Sequence, residues 1–397
     1  MKRADEVIIA GAGPVGFVTA LGLARAGAKV TIIEAEDKII DSPRAAVYFP
    51  VTLELLDKLG IIDDAHAAGI KNDILEFKYR DLGKSVILTP REVIKDVTKY
   101  PYQLHFGQNV LAEIVKKHLL ELPGTEVRFN TRLTGLAQDG NGVTATVATA
   151  QGDETIRGGW LIGCDGARSS VRKLLNLSFD GHTWPDRFMA NNIYYDEFLE
   201  NGFSPANFYI HPQLWAVIAL IGRDNLWRVT FNEDGDISDE EAVSRIPDRL
   251  NELLPGSKKY KIAASSPYRV HERISEKFRV GRVLLAGDAA HVCNPCGGMG
   301  LTTGLMDANA LMDALGAVIN GKADEAVLDF YETERRRVFL EVTSPSATEY
   351  KRIISEPDPE RRRQDYERFK AVSENPDAMR KTMLALFDTR GQPMLPQ

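Results

Sequence analysis

The stretch Val7-Ile8-Ile9-Ala10-Gly11-Ala12-Gly13-Pro14-Val15-Gly16 constrains the fold more than any other part of this 397-residue chain. A four-residue apolar run reads as a buried strand, and glycines spaced Gly11-x-Gly13-x-x-Gly16 open a helix that Gly27 ends. Lys29 to Glu34 reads as the next strand, so the first 35 residues predict one βαβ unit. Gly16, Ala20 and Ala24 share a helix face small enough for close packing on the sheet. In such a unit the free N–H groups and positive end of the helix face a pyrophosphate. Glu34, ending the second strand, is placed to accept hydrogen bonds from ribose hydroxyls, which favours FAD or NAD over a 2′-phosphorylated cofactor.

A second turn decides between those two. Arg282 to His291 reads as a buried strand ending in Gly287-Asp288, followed by the glycine-rich run Gly297-Gly298-Met299-Gly300-Leu301-Thr302 and Gly304. Apolar residues at 305, 308, 312, 315 and 319 then mark a core helix over about 302–320. Asp288 is suited to the hydroxyls of a polyol chain, and the N–H groups of the second helix to the electron-rich edge of a ring system. FAD spans two such ends.

These residues, together with Cys164-Asp165-Gly166-Ala167-Arg168-Ser169-Ser170-Val171-Arg172, resemble the single-component (group A) FAD-dependent aromatic hydroxylases of the para-hydroxybenzoate hydroxylase fold. The resemblance runs from residue 7 to about 315. It implies an α/β chain: a Rossmann-like FAD-binding domain of the glutathione-reductase-like GR2 type, an inserted β-sheet substrate domain and C-terminal helices. It further implies that Arg44, in Ser42-Pro43-Arg44-Ala45, contacts the FAD phosphates, Gln108 the ribityl region and Asp288 the ribityl hydroxyls. Asp165 would serve both FAD and NAD(P)H, and Pro295 to Thr302, with Gly298, Gly300 and Leu301, would line the ring. The family usually has Pro-Pro-x-Gly where this chain has Asn294-Pro295-Cys296-Gly297, and often Asn at Thr302. At a finer level Tyr100 to Gln108, Phe179 to Trp184 and Asn192 to Tyr195 are similar to hydroxylases of para-nitrophenol and of 6-hydroxy-3-succinoylpyridine. Those enzymes hydroxylate the ring carbon para to a hydroxyl and expel the group already there.

The implied reaction is hydroxylation of a small phenol or hydroxypyridine: NADH or NADPH reduces FAD, O2 is captured as a C4a-hydroperoxide, and the electron-rich ring attacks the distal oxygen. A side chain is then needed to polarise the substrate hydroxyl. Tyr48, Tyr102, His105, Tyr194, Tyr209, His211 and Trp215 are the candidates, with Pro295 beside the ring and His291 read as structural. Two alternatives stand beside this reading. Cys293 and Cys296 have the spacing of a flavin-coupled disulfide reductase, and the chain could bind FAD without catalysis.

The two cofactor turns are far apart in sequence, which predicts interleaved domains. The cofactor domain is expected from 1–73, 108–182 and 281–345, the substrate domain from 74–107 and 183–280, and a charged helical segment from 346–397. Ser238 and Glu241 form a capping box for a helix running to about Leu254. A net charge of −7 gives no reason to expect nucleic acid, and the arginine runs 335–337 and 361–363 read as solvated helix faces. The longest apolar run, Trp215 to Ile221, is far short of a membrane span. Three cysteines and an N-terminus without a signal-type apolar region predict a cytoplasmic protein. A small aromatic and O2 are the expected partners; a homodimer is one option, and the sequence itself does not fix the oligomeric state. No metal site is read from the sequence.

Overall fold

The computed structural model describes residues 5–41, 44–256 and 259–396; Ser42 and Pro43 of the Ser-Pro-Arg-Ala segment lie outside them. The initial apolar run forms Glu6–Ala10, flanked in parallel by Lys29–Ile33 and Trp160–Gly163, with Val7 opposite both Val30 and Trp160. The full sheet runs Arg279–Val280, Val283–Leu285, Trp160–Gly163, Glu6–Ala10, Lys29–Ile33, Thr125–Arg128. Its central strands are apolar at nearly every position because both faces are covered. Pro14–Arg25, Gln108–Leu120 and Met299–Ile319 pack on the sheet, and a three-stranded meander over 132–158 joins the same buried cluster through Val143, Ala145 and Val147. A fully buried valine of this cluster contributes roughly 1.5–3 kcal/mol. This is the Rossmann-like FAD-binding architecture that the glycine pattern implies.

A second sheet has eight strands in the order His291–Val292, Lys261–Ser275, Phe179–Tyr194, Leu226–Glu233, Ala216–Gly222, Ala206–Ile210, Leu75–Tyr79, Lys84–Leu88. Alternation gives it two distinct faces. Met189, Ile193, Trp227, Val229 and Ile218 pack against Ala242, Ile246 and Leu250 of the helices Asp239–Ser244 and Ile246–Leu253. The opposite face carries Ser266, Ala190, Thr230, Val217 and Phe208 in one cross-strand row, and Asn192, Arg228, Ala219 and Ala206 in the next.

Several local features differ from the sequence reading. The sheet's long strand starts at Phe179, inside the segment assigned to the cofactor domain, and Gln103–His105 pairs instead with Val47–Tyr48 and Ile70–Asn72. Ser238 Oγ accepts the Glu241 N–H at 3.1 Å as the capping box requires, yet the helix breaks at Arg245, just before Pro247. The arginine runs are not uniformly solvated. Arg335 is fully buried, bonded to Asp307 and to the Thr389 carbonyl, and Arg362 is buried against Asp81 and the Glu356 carbonyl. Ser344–Ile354, Pro359–Glu374 and Pro376–Leu384 form the C-terminal helices. They pack on the eight-stranded sheet, with Phe369 stacked on Phe77 at 4.0 Å and Tyr350 on Phe208 at 5.2 Å. No helix among the described residues is long and apolar enough to cross a membrane, and no group of His, Cys, Asp or Glu among them could hold a metal ion.

Candidate active site

The three N-terminal glycines have different jobs. Gly11 sits at φ 108°, where a side chain is strained, and a Cβ there would run into the Cys164 carbonyl. A Cβ on Gly16 would strike the carbonyl oxygen of Gly11, so these two allow strand, turn and helix to close on one another. Gly13 differs, since a Cβ there would meet nothing within 4 Å. It is the N-cap of Pro14–Arg25 and faces open space at the positive end of that helix. Ala12 N–H donates to Glu34 Oε2 at 2.8 Å and Glu36 N–H to Oε1 at 3.0 Å, which fixes the Glu34 carboxylate beside the turn.

Asp165 supports the neighbouring loop. Its Oδ2 accepts N–H bonds from Ser170 at 2.6 Å and Val171 at 3.1 Å, while its buried Oδ1 has no partner among the described residues. Burial raises its pKa in spite of the hydrogen bonds from Ser169, Val171 and Ser170. Arg172 donates to the carbonyls of Ala167 at 2.6 Å and Ala289 at 2.8 Å and lies over the Phe179 ring, tying this loop to the Gly-Asp turn.

That turn is held from beneath by a buried charge cluster. Asp307 Oδ2 accepts from Gly287 N–H at 2.9 Å and pairs with His291 Nε2 at 2.8 Å, and its Oδ1 accepts from Arg335 Nε at 2.7 Å. Phe339 stacks on His291 at 4.7 Å, so His291 positions the turn from behind. Val15 fits between Gly287 and Gly304, where added Cβ atoms would meet it at 3.0 and 2.9 Å. Asp288 opens toward the cavity but is surrounded by protein, and this burial raises its pKa against the opposing charges of Arg44 and His291. Gly298, in the left-handed region at φ 66°, caps Met299–Ile319, while Asn294 accepts the Cys296 N–H at 3.1 Å and shapes the turn before it.

Both turns open on one cavity of about 1310 Å³. That exceeds the ~300–1,000 Å³ of an ordinary ligand pocket and leaves room for a long cofactor together with a small second ligand. Gly11, Gly13, Val15, Glu34, Arg44, Gln108, Asp165, Asp288, Pro295, Gly298, Gly300 and Leu301 line it. Gly16 and Thr302 lie behind the wall; Thr302 is buried, its hydroxyl 3.4 Å from the Gly298 carbonyl. The helix start free of a Cβ at Gly13, the unpartnered Asp165 oxygen and the cavity-lining Asp288 all fit FAD.

The far end of the cavity is floored by the eight-stranded sheet through Ala190, Ala206, Ala219, Thr230, Ser266 and Phe208. The candidates for polarising a substrate hydroxyl are placed elsewhere. Tyr48 is fully buried and stacked on Phe106; Tyr102 bonds His66 Nε2 at 2.9 Å. His105 is held between the Leu220 carbonyl and Gln103 Oε1, both at 3.0 Å, and burial lowers its pKa to about 4. Tyr209 sits one residue out of phase with Phe208 and packs on the opposite face of the sheet. His211 Nδ1 accepts backbone N–H groups of Gln213 and Leu214, Trp215 packs edge-on to Phe188, and Tyr194 lies beneath Lys261. None of these seven lines the cavity. Arg228, Tyr268, Tyr350 and Met383, which the sequence reading did not single out, do line it.

A Rossmann-type glycine turn and a Gly-Asp turn opening on one long cavity, floored by a separate sheet, define a flavoprotein monooxygenase of the single-component type. Residues 4–346 match the FAD binding domain family, and the chain belongs to it. It is 41% identical to para-nitrophenol 4-monooxygenase of Pseudomonas sp. strain WBC-3, over 99% of this chain and 98% of that protein. It is 40% identical to 6-hydroxy-3-succinoylpyridine 3-monooxygenase of Pseudomonas putida, over 96% and 97% of the two chains. The crystal structure of p-nitrophenol 4-monooxygenase from Pseudomonas putida DLL-E4 superposes with a TM-score of 0.94 at 39% identity, covering 99% of this chain and all of that one. The chain is accordingly an FAD-dependent aromatic hydroxylase, with NAD(P)H as electron donor.

The disulfide-reductase alternative finds no support. Cys164, Cys293 and Cys296 are all free. Burial pushes the Cys296 thiol up to about 12 and Cys293 well above its ordinary value, so both are held as unreactive thiols. Cys296→Ser is expected to retain FAD and at least about half of wild-type turnover, since packing is all that changes. Loss of turnover in an FAD-replete Cys296→Ser protein, measured by NAD(P)H consumption, would contradict this.

Proposed function

We propose that the chain hydroxylates a small phenol or hydroxypyridine with NAD(P)H and O2, and that it expels a para substituent such as a nitro group or an acyl chain. The supporting observation is the continuity of the cofactor cavity with a chamber whose floor includes Ala190, Ala206, Ala219, Thr230 and Ser266. The names of the two relatives above agree with it. Bound FAD supplies the electron and oxygen chemistry. Gly13, Arg44 and the start of Pro14–Arg25 would hold its phosphates, Glu34 its ribose, Asp288 and Gln108 its ribityl chain, and Pro295 to Leu301 its ring. The protein's own work is positioning and water exclusion: Tyr350 and Met383 wall the chamber beside the sheet floor. The few cysteines, all free, support a cytoplasmic site of action.

Purified holoenzyme is expected to oxidise NAD(P)H several-fold faster with 4-nitrophenol or a hydroxypyridine than without. One atom from isotopically labelled O2 should then appear in the product by mass spectrometry, with nitrite released from the nitrophenol. Substrate turnover without label in the product would sink the hydroxylase reading in favour of a dehydrogenase.

A further inference from the structure

Arg228 is a buried guanidinium set into the sheet floor of the substrate chamber, and no carboxylate among the described residues is paired with it. It is 7% exposed, lies on the strand Leu226–Glu233, and faces the cavity in the same cross-strand row as Ala219 and Ala206. Its Nε donates to Asn192 Oδ1 at 2.6 Å, a neutral acceptor. Neither terminal nitrogen donates to a described residue, and no carboxylate among those residues forms an ion pair with it. The groups within electrostatic reach are Tyr268 on the strand Lys261–Ser275 of the same sheet, the buried Tyr48, and Asp41, which is engaged by Asn109 Nδ2 at 2.9 Å. Burial pulls the Arg228 pKa down to about 10 against these three, so the group stays charged at neutral pH. Burial also raises the pKa of Tyr268, which lines the cavity and remains a neutral donor.

A desolvated cation with two free donors and no counter-charge is costly unless the ligand brings the charge. We infer that Arg228 anchors the substrate and that the ring is taken as an oxyanion, its negative oxygen held on the two terminal guanidinium nitrogens with the Tyr268 hydroxyl as a further donor. The inference rests on the hydroxylase reading and narrows it to phenols and hydroxypyridines that ionise. It also explains why no histidine or tyrosine of the candidate set reaches the chamber. A fixed cation favours the ionised, more nucleophilic ring without a general base, and the proton leaves to solvent before the ring is enclosed. The small floor residues Ala190, Ala206 and Ala219 leave the guanidinium accessible, where larger side chains would cover it.

4-Nitrophenol tests this directly, because its ionised form has its own visible absorption band. The ligand is titrated into oxidised, FAD-replete enzyme across a pH series, and the ionisation midpoint of the bound phenol is compared with that of the free phenol. In the wild-type protein the bound midpoint is expected about 1–3 pH units lower, with the anion binding about tenfold tighter than the neutral phenol for each unit. In Arg228→Gln the midpoint should return to the free value, and in Arg228→Lys part of the shift should remain. FAD content, read from the flavin spectrum, should match wild type in both variants. A wild-type midpoint equal to that of free phenol, or an equal shift in Arg228→Gln, overturns the inference. So does loss of FAD from an otherwise folded Arg228→Gln protein, which would assign the cation to the cofactor. Labelled O2 entering the ring with no shift of the midpoint would overturn this inference alone, whereas failure of any phenol to bind or be hydroxylated would overturn the hydroxylase reading with it.

Discussion

Gly13→Ala is expected to fold and to purify without its cofactor, whereas Gly16→Ala is expected to yield little folded protein. The two positions are three residues apart in the same motif, and the difference lies in what surrounds them. A methyl group on Gly16 is driven into the Gly11 carbonyl, against a strand and helix that are buried on both sides. Overpacking of that kind costs about 1–3 kcal/mol or more, and here it cannot be relieved by rotating a side chain. A methyl group on Gly13 enters open space and disturbs only an N-cap, worth about 1 kcal/mol. It does, however, stand where a pyrophosphate must approach the free N–H groups of the helix. FAD affinity is expected to drop more than about tenfold, at least ~1.4 kcal/mol. Thermal melts of the apoproteins and the flavin absorbance of the purified proteins separate the two effects. A Gly16→Ala apoprotein melting with wild type, or a Gly13→Ala protein carrying full FAD, would show the assignment of roles to be wrong.

Replacing Asp307 should be the most damaging single change away from the cavity. Asp307→Ala leaves Arg335 buried with its charge unanswered and removes the acceptor for the Gly287 N–H, a combination expected to cost about 3–5 kcal/mol. Asp307→Asn keeps the shape and loses the charge, and it isolates the pH dependence. Burial alone would raise the Asp307 pKa, but the charges of His291 and Arg335 and their hydrogen bonds outweigh it, and the net direction is downward. A carboxyl whose folded pKa lies below its unfolded value contributes its full stabilisation above the unfolded value, near 3.9. That contribution is lost as pH falls through the folded value. The melting temperature of wild type should therefore exceed that of Asp307→Asn at neutral pH, and the gap should narrow on acidification below about pH 4. A gap that widens in acid would reverse the sign and refute the account.

The cofactor side of the site was legible in the sequence because it is written in backbone chemistry. Gly11 and Gly16 are dictated by backbone packed against them, Gly13 stands at an open helix start, and Asp288 follows closely on its strand. The substrate side is written in register, which local sequence does not specify. Phe208 reaches the cavity and Tyr209 does not because a one-residue step in a strand changes the face. Arg228 passed unnoticed for the same reason: it reads as one of several polar residues alternating along its strand, and its isolation depends on Asn192, Ala219 and Tyr268 from three other strands. His105 and His211 attracted attention as residues able to hold a proton, yet His105 spends both ring nitrogens on a carbonyl and an amide, and His211 spends Nδ1 on backbone N–H groups. Arg335 misled in the other direction, since a run of three arginines resembles a wet surface until Asp307 is placed beneath one of them.

The C-terminal segment brings Met383 and Leu386 into a wall whose first residue is Ala10. The chamber thus has a history in time as well as a shape. On the ribosome the glycine turn emerges early, but it must wait for Trp160–Gly163 and Val283–Leu285 to flank its strand, and then for the last helices to seat against the sheet. Contacts that span nearly the entire chain are slow to form. A nascent polypeptide stalled late in synthesis would carry both glycine-rich turns and still display an unroofed, apolar hollow, the state in which such a chain has most need of a chaperone.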